Sequence, residues 1–457
     1  MKKILYIATL FCGMTLISCN NLFDVDPSGQ YDGSLKEVSI TLAISSDFSQ
    51  YDKSNFSVVF DELSSGNIFE FFAGSDGILK AEIPYGIYNL RAAGKISTQD
   101  GKLIFNGTRD RVTFNANSNG AFSINLISSI SGALIIKEIY NGGCLKLPEE
   151  GDLQSDKYII LYNNSDITQY LDGICVGTAD PGNATATNAW MIPDPGNPGS
   201  HMLPNIIYIQ DAAVKFPGNG TNFPLAPGEQ AVLAFNKAVD HTKMFPLSVN
   251  LDNANYFVTY DLVHFDNVAN YHELGANIRQ DHLLNIVRKL GIGNAYSPSV
   301  SSPALLIYRI PSEVGTLEQY AFNESNIISK PGASSNIVYM KLNPEWALDG
   351  VEVFNGTSTN NNKRFTALVD AGYVALNGTF QNKTLYRNVD EEATLEIPGN
   401  GQFIVRNYAL GSDPSGIDAE ATIKNGGRII YLDTNNSSVD FHERRKQSLH
   451  SSAPINQ

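Results

Sequence analysis

The sequence predicts an all-β protein of tandem β-sandwiches with one or two short helices. Three observations carry this. Short runs rich in Val, Ile, Tyr, Phe and Thr recur along most of the chain, and Asn, Asp, Gly and Pro clusters punctuate them. The best helical spacing in the chain is that of one short stretch, Ile278 to Leu290, with apolar residues at Ile278, Leu283, Ile286, Val287 and Leu290. The 457 residues suffice for two or three domains, and no compositional bias marks the chain as disordered.

Residues 1–18 read as an export signal. Lys2 and Lys3 precede the apolar run Ile4 to Ile17, which is too short to span a bilayer comfortably. The ending Leu16-Ile17-Ser18-Cys19 resembles a lipobox. That resemblance implies cleavage before Cys19, lipidation of Cys19, and an outer-membrane lipoprotein on the periplasmic or the cell-surface face. Acyl chains contribute about 0.8 kcal/mol per buried CH₂, so such an anchor holds without a transmembrane helix. Residues 19–35 lack hydrophobic periodicity and read as a tether.

Cys12 leaves with the signal and Cys19 takes lipid, so Cys144 and Cys175 remain of the four cysteines. In an oxidising compartment these two are expected to form a disulfide, stabilising by roughly 3 kcal/mol through loop closure. The formal charge of −15 argues against nucleic acid as a partner, since phosphate-backbone binding needs clustered Lys and Arg.

Residues 36–130 alternate in short β runs: VSITLAI, FSVVF, IFEFF, ILKAEIP, YNLRAAG, LIFNG, VTFNA and AFSINLI. Within them Asp76-Gly77 supplies a turn, and Pro84 and Gly86 interrupt the strand before Tyr88. The spacing from Asp76 to Leu90 resembles the signature of transthyretin-like or carboxypeptidase-regulatory-like β-sandwiches, which implies a spacer or adhesive platform.

Residues 131–457 form the second region, as one domain or as two sub-domains with a boundary near 300–335. Leu134 to Tyr140 and Tyr158 to Tyr162 are strands, and Asp172-Gly173 suits a type I′ hairpin turn. The succession IIKEIYN, YIILYNNSD and YLDG resembles the opening of lamin-tail domains, which implies an immunoglobulin-like sandwich. Ile160 stands where those domains usually have Glu, and Ile174 where they have Trp. Ile192 to Pro204 and Phe216 to Gly228 are rich in Pro and Gly and read as surface loops, where binding would sit. Leu225 to Phe235 then reads as a turn feeding a strand.

Strands are expected again at Ala304 to Ile310, Ile337 to Leu342, Val351 to Phe354, Tyr373 to Leu376 and Gln402 to Val405. Leu348-Asp349-Gly350 echoes Leu171-Asp172-Gly173, either through a faint duplication or as two unrelated Asp-Gly hairpins. The closing segment from Asp433 to Phe441 resembles the end of a lamin-tail domain, so the domain opened at Ala133 is expected to close near the C-terminus.

Four of the seven histidines fall between His241 and His282. His264 and Asp266 would share a face in a strand, and His264, Asp266, His272 and His282 are the candidate metal ligands. The region lacks HExxH or repeated carboxylate spacing, so surface or packed histidines are the plainer reading. Asp433-x-Asn435-x-Ser437 offers oxygens suited to calcium, but Ser438 and Arg444 stand where a calcium loop has Gly and Glu. An Asx-turn cluster fits better. The chain has no Gly-x-Ser-x-Gly elbow, Walker loop or dinucleotide fingerprint, so no catalytic residue and no cofactor is assigned.

The lipobox, IYNGGC…YIILYNNSD…YLDGIC, Ala238 to Thr242, WALDGVEV and DTNNSSVDF together resemble an uncharacterised family of Bacteroidetes outer-membrane lipoproteins. That resemblance implies a domain of unknown function, and a TonB-dependent outer-membrane transporter as partner. The expectation is a lipid-anchored, non-enzymatic cell-envelope protein acting as a binding or accessory subunit for a small-molecule or glycan ligand. The alternatives are a metal-dependent hydrolase using the His264 to His282 region and a structural or adhesive surface protein.

Overall fold

The computed structural model describes residues 34–44, 48–98, 101–130, 132–195, 199–235, 237–267, 274–332 and 337–450. Cys19 and His272 lie outside these residues. The chain divides into two compact units, Met1–Ser131 and Gly132–Gln457. Both are all-β sandwiches as expected, with four short helices among the described residues.

In the first unit a three-stranded sheet orders Ile78–Pro84, Leu35–Ala43 and Ala121–Asn125, the last pair parallel. A five-stranded antiparallel sheet orders Ile68–Phe72, Ser57–Glu62, Gly86–Thr98, Gly101–Phe114 and Ile127–Ile130. Val38, Ile40 and Leu42 alternate inward from the first sheet and meet Val58, Phe60, Tyr88 and Leu90 from the second. Gly77 takes a φ of 80° in the Asp76-Gly77 turn, and the Tyr88 hydroxyl donates to the Pro84 carbonyl at 2.9 Å. Gly94 is fixed by packing, since a Cβ there would lie 2.1 Å from the Phe56 ring.

The second unit is built on two six-stranded sheets. Sheet I orders Phe257–Val258, Gln230–Ala234, Tyr158–Asn163, Leu134–Tyr140, Thr384–Arg387 and Phe441–Arg444. Sheet II orders Asn285–Lys289, Ala212–Lys215, Cys175–Thr178, Ala304–Tyr308, Ala347–Asn355 and Val374–Leu376. Leu134, Ile136, Ile139, Ile159, Leu161 and Leu233 face Val176, Val214, Leu305, Ile307, Val351 and Val353 in the main core. Sheet II takes strands from both sides of residues 300–335, with Ala304–Tyr308 pairing Cys175–Thr178 on one edge and Ala347–Asn355 on the other, so the two stretches share this core. The C-terminal strand Phe441–Arg444 joins the sheet that Leu134–Tyr140 opens.

The outer faces are covered as well. Tyr140, Tyr158, Ile160 and Val232 pack under Val249, Leu251 and Tyr256 on sheet I. Cys175, Leu306 and Tyr308 pack under Ile207, Met340 and helix Leu317–Ala321 on sheet II. Burial on both faces explains why these strands are near-continuous apolar runs rather than alternating ones.

Four expectations about local structure are corrected. Ile278 to Leu290 is not a helix: a 3₁₀ turn at Gln280–His282 leads into the extended edge strand Asn285–Lys289. A strand with a bulge and two covered faces mimics helical spacing, and pairing with Ala212–Lys215 decides the outcome. Asp172-Gly173 is not a type I′ turn, because only Gly173 has positive φ, at 69°. Asp349-Gly350 is not a turn at all but mid-strand, with a Cβ at Gly350 lying 2.4 Å from Val369. Gln402 to Val405 is not a strand: Asn400–Phe403 forms a 3₁₀ turn, with the Asn400 side chain donating to the Thr394 and Arg428 carbonyls.

The two sheets are cross-linked by buried Arg387, 1% exposed, which projects from sheet I. It pairs with Asp349 of sheet II, with Asp433 at 3.2 Å and with Asp440 at 3.8 Å. Its Nε donates to the Ile136 carbonyl at 2.8 Å, while Ile136 N–H donates to Asp349 at 2.6 Å. Burial pushes the Asp349 and Asp440 carboxyls above the usual carboxylate range, and the Arg387 charge pulls them back.

Arg387→Met leaves buried carboxylates without a cation and is expected to destabilise the second unit by about 3–5 kcal/mol. Both tryptophans, Trp190 and Trp346, lie in that unit. Urea unfolding followed by their fluorescence therefore measures it alone.

Candidate ligand-binding cleft

Sheet I strand Tyr158–Asn163 is preceded by Asp156 and Lys157, which alternation sends to opposite sides. Asp156 is buried against the Tyr140 and Ser248 hydroxyls, at 3.1 and 2.7 Å. Lys157 is 3% exposed, and its Nζ donates to Ser297 Oγ at 3.0 Å and to the Pro298 carbonyl at 2.6 Å. Beside it opens a cavity of about 310 Å³, lined by Gln154, Lys157, Asn183, Ser297, Pro298, Ser299 and Val300. This is at the small end of the range of small-molecule sites.

Two loops form the wall opposite Lys157, and a buried ion pair holds both. Glu352 and Arg364 are fully buried, with Arg364 Nε 2.5 Å from Glu352 Oε1. Arg364 Nη1 donates to the Pro181 carbonyl at 3.0 Å and to the Ser302 carbonyl at 3.1 Å. Ala184 N–H donates to Ser302 Oγ at 3.0 Å, which ties the loops directly. Asn141 Nδ2 donates to the Ser299 and Val300 carbonyls, both at 3.1 Å. Ser299 Oγ donates to Asn183 Oδ1 and accepts from the backbone N–H groups of Ser301 and Ser302. Each wall is thus fixed from behind by buried groups.

No other cleft-lining residue is ionisable. Burial draws the Lys157 ammonium down to about 8, and the Asp156 charge opposes that shift. Around neutral pH the group is mostly cationic. Two of its three N–H donors are used, and the third remains for a ligand.

A second buried lysine serves packing instead. Lys137 donates to Gln230 and lies 5.5 to 5.9 Å from the ring centroids of Tyr162, Tyr386 and Tyr431. Burial pulls it to about 8 as well. Its aromatic box is closed.

Residues 226–448 match a protein family described as "Protein of unknown function (DUF4876)". The matched stretch lies within the second unit. Among solved structures, the chain is similar to the crystal structure of a DUF4876 family protein from Bacteroides thetaiotaomicron VPI-5482 at 2.50 Å resolution. The TM-score is 0.53 at 24% identity, covering 92% of this chain and 98% of that one. At that identity the likeness shows the fold. No curated protein matches. Of the cleft, Ser297 to Val300 fall inside the DUF4876 match, while Gln154, Lys157 and Asn183 precede it.

The residues singled out by sequence are placed elsewhere. Neither His264 nor Asp266 lies in a strand: His264 closes the turn 262–264, where Asp261 accepts from Val263 N–H and His264 N–H and pairs with His264 Nδ1 at 2.9 Å. Asp266 is exposed. His282 is buried, stacked on Phe257 at 4.3 Å, with Nδ1 3.3 Å from the Tyr256 carbonyl. Burial lowers its pKa and keeps it neutral. Among the described residues no group of three or more His, Cys, Asp or Glu is placed to hold a metal ion. The side-chain oxygens of Asp433 and Ser437 are engaged within the protein: Asp433 accepts from Arg387, and the Ser437 hydroxyl donates to Asp370.

The expected disulfide between Cys144 and Cys175 is corrected: both are free, buried thiols. Cys144 packs with Leu153 and Phe245 beside sheet I, and its Sγ lies 3.6 Å from Asp156. Cys175 faces the outer layer of sheet II. Their different packing clusters keep them apart, which sequence separation could not reveal. Burial pushes both thiols up to about 12, so neither is a ready nucleophile.

Thiol titration of the purified protein without reductant checks this. Cys144 and Cys175 should be unreactive in the native state and both reactive in denaturant. A protein with neither thiol reactive in denaturant would restore the disulfide.

Proposed function

We propose that this protein is a lipid-anchored, non-enzymatic binding or accessory subunit of the outer membrane. It holds a small polar ligand in the Lys157 cleft and works beside a TonB-dependent transporter. The observation that carries the binding half is the cleft itself: a desolvated ammonium without a carboxylate in contact, on an opening ringed by Gln154, Asn183, Ser297 and Ser299. The Leu16-Ile17-Ser18-Cys19 ending supports the anchor, and the lamin-tail-like and lipoprotein resemblances of the sequence support an envelope setting.

Cys19→Ser should move the protein from the membrane fraction to the soluble fraction. A C-terminally tagged wild type, purified from detergent-solubilised outer membranes, should bring down a β-barrel transporter in near-equal amount by mass spectrometry. An unchanged membrane fraction for the variant would overturn the anchor. A pull-down with nothing above background would overturn the accessory role.

A further inference from the structure

We propose that the ligand of the Lys157 cleft is a hydroxylated monocarboxylate, the chemistry shared by uronic acid sugars and open-chain hydroxy acids. This rests on the reading of the cleft as the binding site and narrows what it takes.

Charge sets the first half of the assignment. Lys157 is the single ionisable residue of the lining, and the ammonium touches only neutral oxygens, Ser297 Oγ and the Pro298 carbonyl. The Asp156 carboxylate, whose field reaches it, is turned the other way onto Tyr140 and Ser248. The loops carrying Asn183 and residues 297–300 contribute no ionisable lining residue. A cation taken out of water is stabilised by an opposite charge with matched hydrogen bonds. One carboxylate oxygen at the third N–H supplies that charge. A phosphate dianion would be one positive charge short, without an arginine fork in the lining, on a chain of formal charge −15.

The remaining lining sets the second half. Asn183 Oδ1 already accepts from Ser299 and Ser301, which orients its amide so that Nδ2 is the group left to donate. Gln154, exposed at the mouth, can both donate and accept. Such groups match ligand hydroxyls. No aromatic ring lines the cavity, so discrimination falls on hydroxyls and charge, with Pro298 and Val300 covering the carbon skeleton.

Calorimetry of the purified protein at neutral pH with galacturonate, gluconate, galactose and inorganic phosphate tests this. Galacturonate or gluconate should bind at least roughly tenfold tighter than galactose, as a charge-assisted hydrogen bond implies. Which of the two binds separates the sugar from the open-chain source. Lys157→Gln should remove the preference. Because Lys157 also tethers the 297–298 loop, Gln154→Glu is the second variant: it adds an acid at an exposed position and should weaken the acids several-fold more than it weakens galactose. Raising the pH from about 7 to about 9.5 deprotonates Lys157 and should erase the preference in the unmodified protein. Galactose binding as tightly as galacturonate and gluconate, or phosphate binding tighter than both, overturns the carboxylate assignment and leaves the cleft as the site. Binding of none of the four overturns both the assignment and the cleft reading.

Discussion

The second unit depends on the Arg387 guanidinium lying between two sheets with nothing polar around it but what the fold supplies. Asp349 comes from the facing sheet, Asp433 and Asp440 from the chain's last turns, and the Ile136 and Leu432 carbonyls from the backbone. Each partner sits far from Arg387 in sequence, so the cluster exists only in one pairing of the sheets. A buried cation is costly unless fully partnered, and this makes the arrangement selective as well as stabilising. The central strand feels it directly, because Ile136 both accepts from Arg387 and donates to Asp349.

A second buried pair does for the cleft what Arg387 does for the core. Glu352 lies three residues beyond Asp349 on the same strand, and its carboxylate accepts from the Arg364 side chain and from the Arg364 and Phe365 N–H groups. With Glu352 so held, Arg364 reaches the Pro181 and Ser302 carbonyls and sets the loops that carry Asn183 and Ser299. The strand that clamps the sandwich thus also positions the cleft wall. Lys157 immediately precedes a sheet I strand, so the cleft joins three separate loops, at 154–157, at 183 and at 297–300. A site assembled in this way holds its geometry through the same contacts that hold the fold.

The burial of charged residues leaves no mark in the sequence. Asp349-Gly350 reads as a hairpin signal, yet Asp349 lies mid-strand and pairs with an arginine. Glu138, in a strand buried on both faces, is satisfied by the Tyr158 hydroxyl and by Ser448. The histidines drew attention as metal ligands because their type and proximity in sequence are legible. Their actual partners, Asp261 for His264 and the Phe257 ring for His282, are set by a turn and by stacking. Lys157 gave no signal beyond a charged residue before a strand, and a dense run of serines at 297–302 was the one trace of the opposite wall.

The sequence by itself determined the all-β class, most strand positions and the interruption at the Asp76-Gly77 turn. These follow from short-range rules: β-branched and aromatic runs, and turn residues that break them. Tertiary structure decided the rest. It set the order of strands in the two sheets, made an edge strand of a helix-like stretch, kept two cysteines apart and brought Lys157 to a loop some 140 residues away. Those outcomes depend on which distant segments bury each other, and one chain's local pattern does not encode that pairing.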